Sequence, residues 1–69
     1  MKDLTARQAE VLAFIKRHSA LSGRPPTRAE ISEHFGWSSI NAADDHVRAL
    51  VRKGAIRRDK NTARGLVVL

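Results

Sequence analysis

The segment "TRAEISEHFGWSSINAADDHVRAL", residues 27–50, decides the fold because it predicts two short helices separated by a tight turn. Thr27 and Glu30 make a capping box, in which the threonine hydroxyl accepts one backbone N–H of the first turn and the glutamate accepts another. This pattern predicts a helix over about residues 28–35. Gly36 follows, and glycine readily adopts the left-handed conformation that ends many helices.

Only "GWSS" separates this helix from the next, which is predicted over about residues 40–53 with Ser38 or Ser39 as its cap. At about 100° per residue, this helix has an apolar face and a polar face on opposite sides. The apolar face consists of Ala43, Val47 and Leu50. The polar face consists of Asn41, Asp44, Asp45, Arg48 and Arg52. Two short helices joined by a glycine-containing turn, the second with a polar outer face, are typical of a helix-turn-helix.

A longer helix precedes this pair and a hairpin follows it. Thr5 and Gln8 form another capping box, which predicts a helix over about residues 6–21 that ends before the prolines of "SGRPP". After Gly54, "AIRR" and "GLVVL" are short strand-like runs separated by the turn-forming "DKNTA". They predict a basic hairpin, or wing, over about residues 55–69.

The predicted fold class is mainly α with a small β-hairpin, a three-helix winged helix-turn-helix that forms one domain over residues 1–69. Its apolar residues are expected to meet between the helices and the wing. The predicted core consists of Leu4, Val11, Leu12, Ile15, Ile31, Phe35, Trp37, Val47, Leu50, Ile56 and Leu66.

The excess positive charge is confined to the last third of the chain. Residues 1–47 contain six Lys or Arg and six Asp or Glu, a net charge of zero. Residues 48–69 contain seven Lys or Arg against Asp59 alone, a net charge of +6. Because basic and apolar residues alternate in this region, as in "RALVRKGAIRR", a solvated tail is the weaker interpretation. The asymmetry predicts a surface that faces a polyanion.

Composition and spacing argue against several other classes of protein. The chain has no cysteine, so it offers neither a disulfide nor a thiolate metal site. Its three histidines lack a metal-ligand spacing and its serines have no base beside them, so we expect no metal, cofactor or catalytic residue. The N-terminal segment does not resemble a signal peptide, and no stretch approaches the roughly 20 apolar residues of a membrane span. We therefore expect a cytoplasmic protein without membrane contact.

Four stretches are similar to the N-terminal DNA-binding domain of the LexA repressor family, regulators of the bacterial DNA-damage (SOS) response. They are "LTARQAEVLAFI", "GRPPTRAEI", "NAADDHVRALVRKGAI" and "ARGLVVL", and together they cover nearly the whole chain. The resemblance implies a nucleoid-associated transcriptional repressor that inserts the helix over about residues 40–53 into the DNA major groove. It also implies no catalysis in this chain, because the family's self-cleaving Ser–Lys domain lies beyond these motifs.

Two sets of DNA-contacting residues are expected. The base-reading positions that the resemblance implies are Ser39, Asn41, Ala42, Asp44 and Asp45. The expected phosphate-contacting residues are Thr27, Arg28, Arg48, Arg52, Lys53, Arg57, Lys60 and Arg64, the last with a further role in supporting the wing.

The chemistry of the base-reading set agrees with this expectation. A carboxylate is repelled by phosphate but can accept a hydrogen bond from cytosine N4 in the major groove. Asn41 can pair bidentately with adenine, and the Ala42 methyl can contact a thymine methyl. Family members commonly have Glu at both acidic positions, a basic residue at Ser38 and Pro at Ile40. An aspartate carboxylate lies about 1.5 Å farther from a base edge on an unchanged backbone.

The expected partner is a palindromic double-stranded DNA operator, bound by two copies of a chain that is monomeric in solution. Alternatives remain open from sequence. The basic hairpin could belong to a small protein-interaction module, or the chain could bind DNA without sequence specificity. Asp44 could also form only an i,i+4 ion pair with Arg48.

Overall fold

The computed structural model describes residues 3–58 and 66–68 of the chain, and shows three helices followed by two short strands. The helices are α1 (Ala6–Ser22), α2 (Arg28–Phe35) and α3 (Ile40–Arg52), and the strands are β1 (Ile56–Arg58) and β2 (Leu66–Val68). The predicted fold class, mainly helical with a small hairpin, is confirmed. Among the described residues, no helix has the length and apolar character needed to cross a bilayer.

Capping residues determine where α1 and α2 begin. The Thr5 hydroxyl accepts the Gln8 N–H at 3.1 Å, and the Gln8 side chain accepts the Thr5 N–H at 3.1 Å. At α2, Thr27 accepts the Glu30 N–H at 3.1 Å and donates its own N–H to the Glu30 carboxylate at 2.8 Å. Both predicted capping boxes are therefore confirmed.

The turn between α2 and α3 depends on one glycine and one buried serine. Gly36 has φ 72°, the left-handed conformation expected from the sequence. The Ser32 hydroxyl, in a residue only 4% exposed, donates to the Ser39 carbonyl at 3.2 Å, and the Trp37 N–H donates to the Ser32 carbonyl at 2.9 Å. Ser32 thus links the end of α2 to the residue that caps α3, and so fixes the angle at which α3 leaves the turn.

The core lies between the three helices and β1. Most of its predicted members are buried, whereas Leu4, Phe35 and Trp37 are half-buried at its edge. The buried hydrophobic cluster consists of Val11, Leu12, Ile15, Ile31, Ala43, Val47, Leu50, Ala55 and Ile56. The predicted core position Leu66 has a side chain outside the described part of the structure. Ala43 and Ala55 are additions to the predicted core. Ala43 belongs to the predicted apolar face of α3, and Ala55 opens the strand-like run "AIRR".

The wing is attached to the core through its first strand. β1 and β2 pair antiparallel, with Ile56 opposite Val68 and Arg58 opposite Leu66, which confirms the predicted hairpin. Ile56 is 1% exposed and belongs to the core cluster. The basic strand β1 is therefore held at the C-terminal end of α3, where Gly54, with φ 77°, follows the last helical turn.

Candidate nucleic-acid interface

The N-terminal end of α3 is held by Ser39 and leaves polar side chains exposed. Ser39 is the N-cap, and its hydroxyl accepts the Asn41 N–H at 3.1 Å, so of the two candidate serines it is the cap. Asn41 and Asp45 are exposed, whereas Ala42 is half-buried. On the other side of the helix, the apolar face predicted from the sequence is completely buried. α3 therefore packs through one face and leaves the other exposed to solvent.

Asp44 lies between two arginines from different helices. Its Oδ1 atom accepts a hydrogen bond from Arg28 Nε at 2.6 Å, and its Oδ2 atom lies 2.9 Å from Arg48 Nε in a salt bridge. The Asp44 side chain is 27% exposed, compared with 33% for Arg28 and 62% for Arg48. The ion pair with Arg48 was anticipated from the i,i+4 spacing. The pair with Arg28 was not, because it joins residues 16 apart and depends on how α2 packs against α3.

Asp45 differs from its neighbour in its surroundings. Its side chain is exposed, and within residues 3–58 and 66–68 it takes part in no salt bridge. It lines a shallow depression together with Gln8, His46 and Ala49. Asp44 thus makes contacts within the protein, whereas the carboxylate of Asp45 lies at the surface.

Lys53 is directed to the start of α1. Its Nζ donates to the Gln8 side-chain oxygen at 2.6 Å and to the Asp3 carbonyl at 3.0 Å. The sequence placed Lys53 among the phosphate-contacting residues, but in the structure its ammonium group connects the end of α3 to the beginning of α1. Because Lys53 and Gln8 are 45 positions apart, no local sequence pattern predicts their contact.

Three of the remaining predicted phosphate-contacting residues, Thr27, Arg52 and Arg57, lie within the described part of the chain. The Thr27 hydroxyl is used as the α2 cap, and Arg52 and Arg57 are exposed. Lys60 and Arg64 lie outside the described residues. The structure therefore brings Arg28 and Arg48 together at Asp44, with Arg52 further along α3.

Trp37 supports α3 from the turn and does not extend into solvent. Its ring stacks on Phe35 and on His46, both at 4.9 Å between centroids. His46 in turn makes a 2.8 Å hydrogen bond between Nδ1 and the Ala42 carbonyl. The expectation that Trp37 packs at the core is confirmed, since it is half-buried against it.

His18 is also satisfied by contacts within the protein. Its Nδ1 lies 3.1 Å from the Arg24 carbonyl, and its Nε2 lies 3.6 Å from Glu30 Oε2. No group of three or more potential metal ligands occurs within the part of the chain that the structure describes.

Comparisons with known proteins agree with this geometry. The family model described as "LexA DNA binding domain" matches residues 1–65. A LexA repressor of Haemophilus influenzae (strain PittGG) is 54% identical over 69 residues, covering 100% of this chain and 33% of the relative. A LexA repressor of Tolumonas auensis is likewise 54% identical over 69 residues, covering 34% of the relative. For one from Pseudomonas chlororaphis, the identity is 54% over 66 residues, covering 96% of this chain and 33% of the relative.

The chain thus spans about a third of the length of the curated relatives that it matches. The matched part includes all three helices and the first strand. On this similarity and this fold, the chain belongs to the LexA DNA binding domain family.

Proposed function

We propose that this chain binds double-stranded DNA in a sequence-specific manner, as the DNA-binding part of a transcriptional repressor. The observation that carries the proposal is the division of α3 into a buried apolar face and an exposed polar face, with two arginines beside its N-terminal half. An α-helix fits the major groove of B-DNA, where each base pair presents a distinct set of donors, acceptors and methyl groups.

Base reading is assigned to the exposed start of α3. Asn41 offers both an amide donor and a carbonyl acceptor, the combination that pairs bidentately with adenine. The exposed Asp45 carboxylate can accept from cytosine N4, and the Ser39 hydroxyl retains a donor besides the acceptor role in its cap. Ala42 lies on the same turn and can supply a methyl contact. Asp44 belongs to the same expected set, but both of its carboxylate oxygens are paired with arginines.

Phosphate contacts are assigned to the cations around this helix. Arg28, Arg48 and Arg52 lie along α3 or beside it, and Arg57 continues the series into β1. Thr27, at the start of α2, is a further candidate through its hydroxyl. Lys60 and Arg64 extend the assignment to the wing on sequence grounds. This distribution follows the net charge of +6 in residues 48–69.

Repression is supported by the relatives, which are named LexA repressors. We propose DNA-damage-response genes as its targets and the bacterial cytoplasm, at the nucleoid, as its location. A palindromic operator would be bound by two copies, one per half-site about one helical turn apart. The chain by itself is expected to be monomeric, because the exposed large apolar residues among those described are two, Leu21 in α1 and Ile40 at the start of α3.

Selection of bound sites from random double-stranded DNA tests the proposal. We expect an enriched palindrome with half-sites about 10 base pairs apart. Recovery of DNA without a common sequence would support a non-specific binder, and failure to retain DNA at low salt would support a protein-interaction module. Either result would contradict the proposed function.

A further inference from the structure

We propose that Asp44 is a positioning residue for two phosphate-contacting arginines, and that Asp45 is the carboxylate of α3 that discriminates between bases. The inference rests on the proposed function. It divides between two adjacent aspartates a role that the sequence pattern assigned to both. The structural basis is the arginine–aspartate cluster, which consists of Arg28, Asp44 and Arg48.

Each carboxylate oxygen of Asp44 already lies against an arginine. One accepts a hydrogen bond from Arg28 Nε at 2.6 Å and the other lies 2.9 Å from Arg48 Nε in a salt bridge, so the carboxylate is held from two sides. Each oxygen retains a lone pair, but turning the carboxylate toward a base would weaken these charge-assisted contacts, which are stronger than neutral ones. Its side chain is also only 27% exposed, whereas Asp45 is exposed and has no salt bridge within the described residues.

The arginines retain the donors that a phosphate requires. A guanidinium has five N–H donors in a planar fork, and an ion pair through Nε leaves the Nη donors available. Asp44 therefore fixes the plane of each guanidinium, and the remaining N–H donors of each arginine can bind a phosphate oxygen. Arg28 is the first residue of α2 and Arg48 lies in the middle of α3, so one carboxylate orients cations from both helices of the helix-turn-helix.

The net charge of the arginine–aspartate cluster offsets the repulsion between the Asp44 carboxylate and DNA phosphates. Two guanidinium groups and one carboxylate give a net charge of +1 at neutral pH, from two positive charges and one negative charge. A phosphate that approaches this cluster is attracted despite the aspartate. Asp45 has no such compensation within the described residues, so its carboxylate is repelled by phosphate and by guanine O6 and N7. Such a group adds selectivity at a cost in non-specific affinity.

Asp44→Ala and Asp45→Ala are a matched pair of variants for testing this division. Each removes one negative charge, and each replaces aspartate by a better helix former. Binding is measured on the selected operator, on a panel of its single-base variants and on random DNA, over a series of salt concentrations. Asp44→Asn, which keeps the shape of the side chain and one acceptor oxygen, is measured in parallel, and circular dichroism establishes that each variant is folded.

For Asp44→Ala, we expect the ranking of sites to be unchanged. The slope of log K against log salt should become shallower by about one to two, because one or two arginine–phosphate contacts are lost. Asp44→Asn should lie between wild type and Asp44→Ala. For Asp45→Ala, discrimination at one base pair should fall by about 10-fold, within the range of a lost base contact. Its salt slope should not become shallower, since removal of a negative charge alone cannot reduce attraction to phosphate.

Loss of discrimination at a particular base pair in Asp44→Ala would overturn the inference, because it would show that Asp44 reads a base. A salt slope in Asp44→Ala equal to or steeper than that of wild type would also overturn it, because the arginines would not depend on Asp44. In both cases the proposed function would still hold, provided that the wild type discriminates between operator variants. If the wild type itself ranks all sites equally, the proposed function fails and the inference fails with it.

Discussion

At the residue scale, neighbouring side chains of the same charge have different contacts. Asp44 is held by arginines from two helices, whereas its neighbour Asp45 is exposed. Lys53 and Arg52 are likewise adjacent cations. Lys53 donates to Gln8 and to the Asp3 carbonyl, and Arg52 is exposed on α3. Net charge alone therefore cannot identify which basic residues meet a polyanion.

Lys53→Ala is predicted to reduce stability and to leave the salt dependence of DNA binding nearly unchanged. The variant loses two hydrogen bonds from a charged donor that connects α3 to α1, at an expected cost of about 1 kcal/mol in the free energy of unfolding. Urea denaturation and binding over a salt series provide the two measurements.

Arg52→Ala is the matched control for the same change of charge. It should have little effect on unfolding and should make the salt slope shallower by about one. If Lys53→Ala reduced the salt slope as much as Arg52→Ala does, the assignment of the Lys53 ammonium to contacts within the protein would be wrong.

At the scale of the elements, short capping patterns specify where each helix starts and how the next one is placed. Thr27 and Glu30 start α2, Gly36 ends it, and Ser39 starts α3 after a short turn. Because the turn is so short, a change in its backbone also changes the direction of α3. The conformation of Gly36 therefore helps to set the direction of α3.

Gly36→Ala is predicted to destabilise the domain by about 1 kcal/mol, because φ 72° is unfavourable for a residue with a Cβ atom. A Cβ atom at this position would meet no other atom within 4 Å, so the cost comes from the backbone and not from a clash. Gly36→Asn is the control, since asparagine tolerates this conformation better. Thermal unfolding should rank wild type above Asn and Asn above Ala. Equal stability of the two variants would contradict the backbone explanation.

The elements were predictable from sequence, whereas several contacts between them were not. Capping boxes and glycines are local signals, and they located α1, α2 and the start of α3 closely. The opposite faces of α3 followed from its periodicity. The Arg28–Asp44 pair and the Lys53–Gln8 contact join residues 16 and 45 positions apart, and depend on packing angles that no local pattern encodes.

At the scale of the whole molecule, a small core supports the polar surface of α3. Leu50, on the buried face of α3, is 0% exposed and belongs to that core. A domain of this size has little stability in reserve, because it buries a smaller fraction of its surface than a large one. The orientation of the polar residues of α3 thus depends on relatively few apolar contacts.

Leu50→Ala is predicted to cost about 2–5 kcal/mol, from lost burial and from the cavity that remains. Much of the population should then be unfolded at ambient temperature. Leu21→Ala removes the same atoms from a residue that is 82% exposed, and should change the free energy of unfolding by less than about 0.5 kcal/mol. The two are compared by chemical denaturation followed by circular dichroism. Similar losses in both variants would show that the core has been assigned incorrectly.

The exposed start of α3 reads bases, in the proposed function, while the basic residues beside it hold the phosphates. Asn41→Ala and Arg52→Ala separate these roles when each is measured on the operator, on its single-base variants and on random DNA at one salt concentration. Asn41→Ala should reduce discrimination at one base pair by roughly 1–3 kcal/mol and leave binding to random DNA nearly unchanged. Arg52→Ala should weaken binding to all these sequences by a similar factor. If both variants weakened every sequence equally, α3 would not be the base-reading element, and the proposed division between base and phosphate contacts would be contradicted.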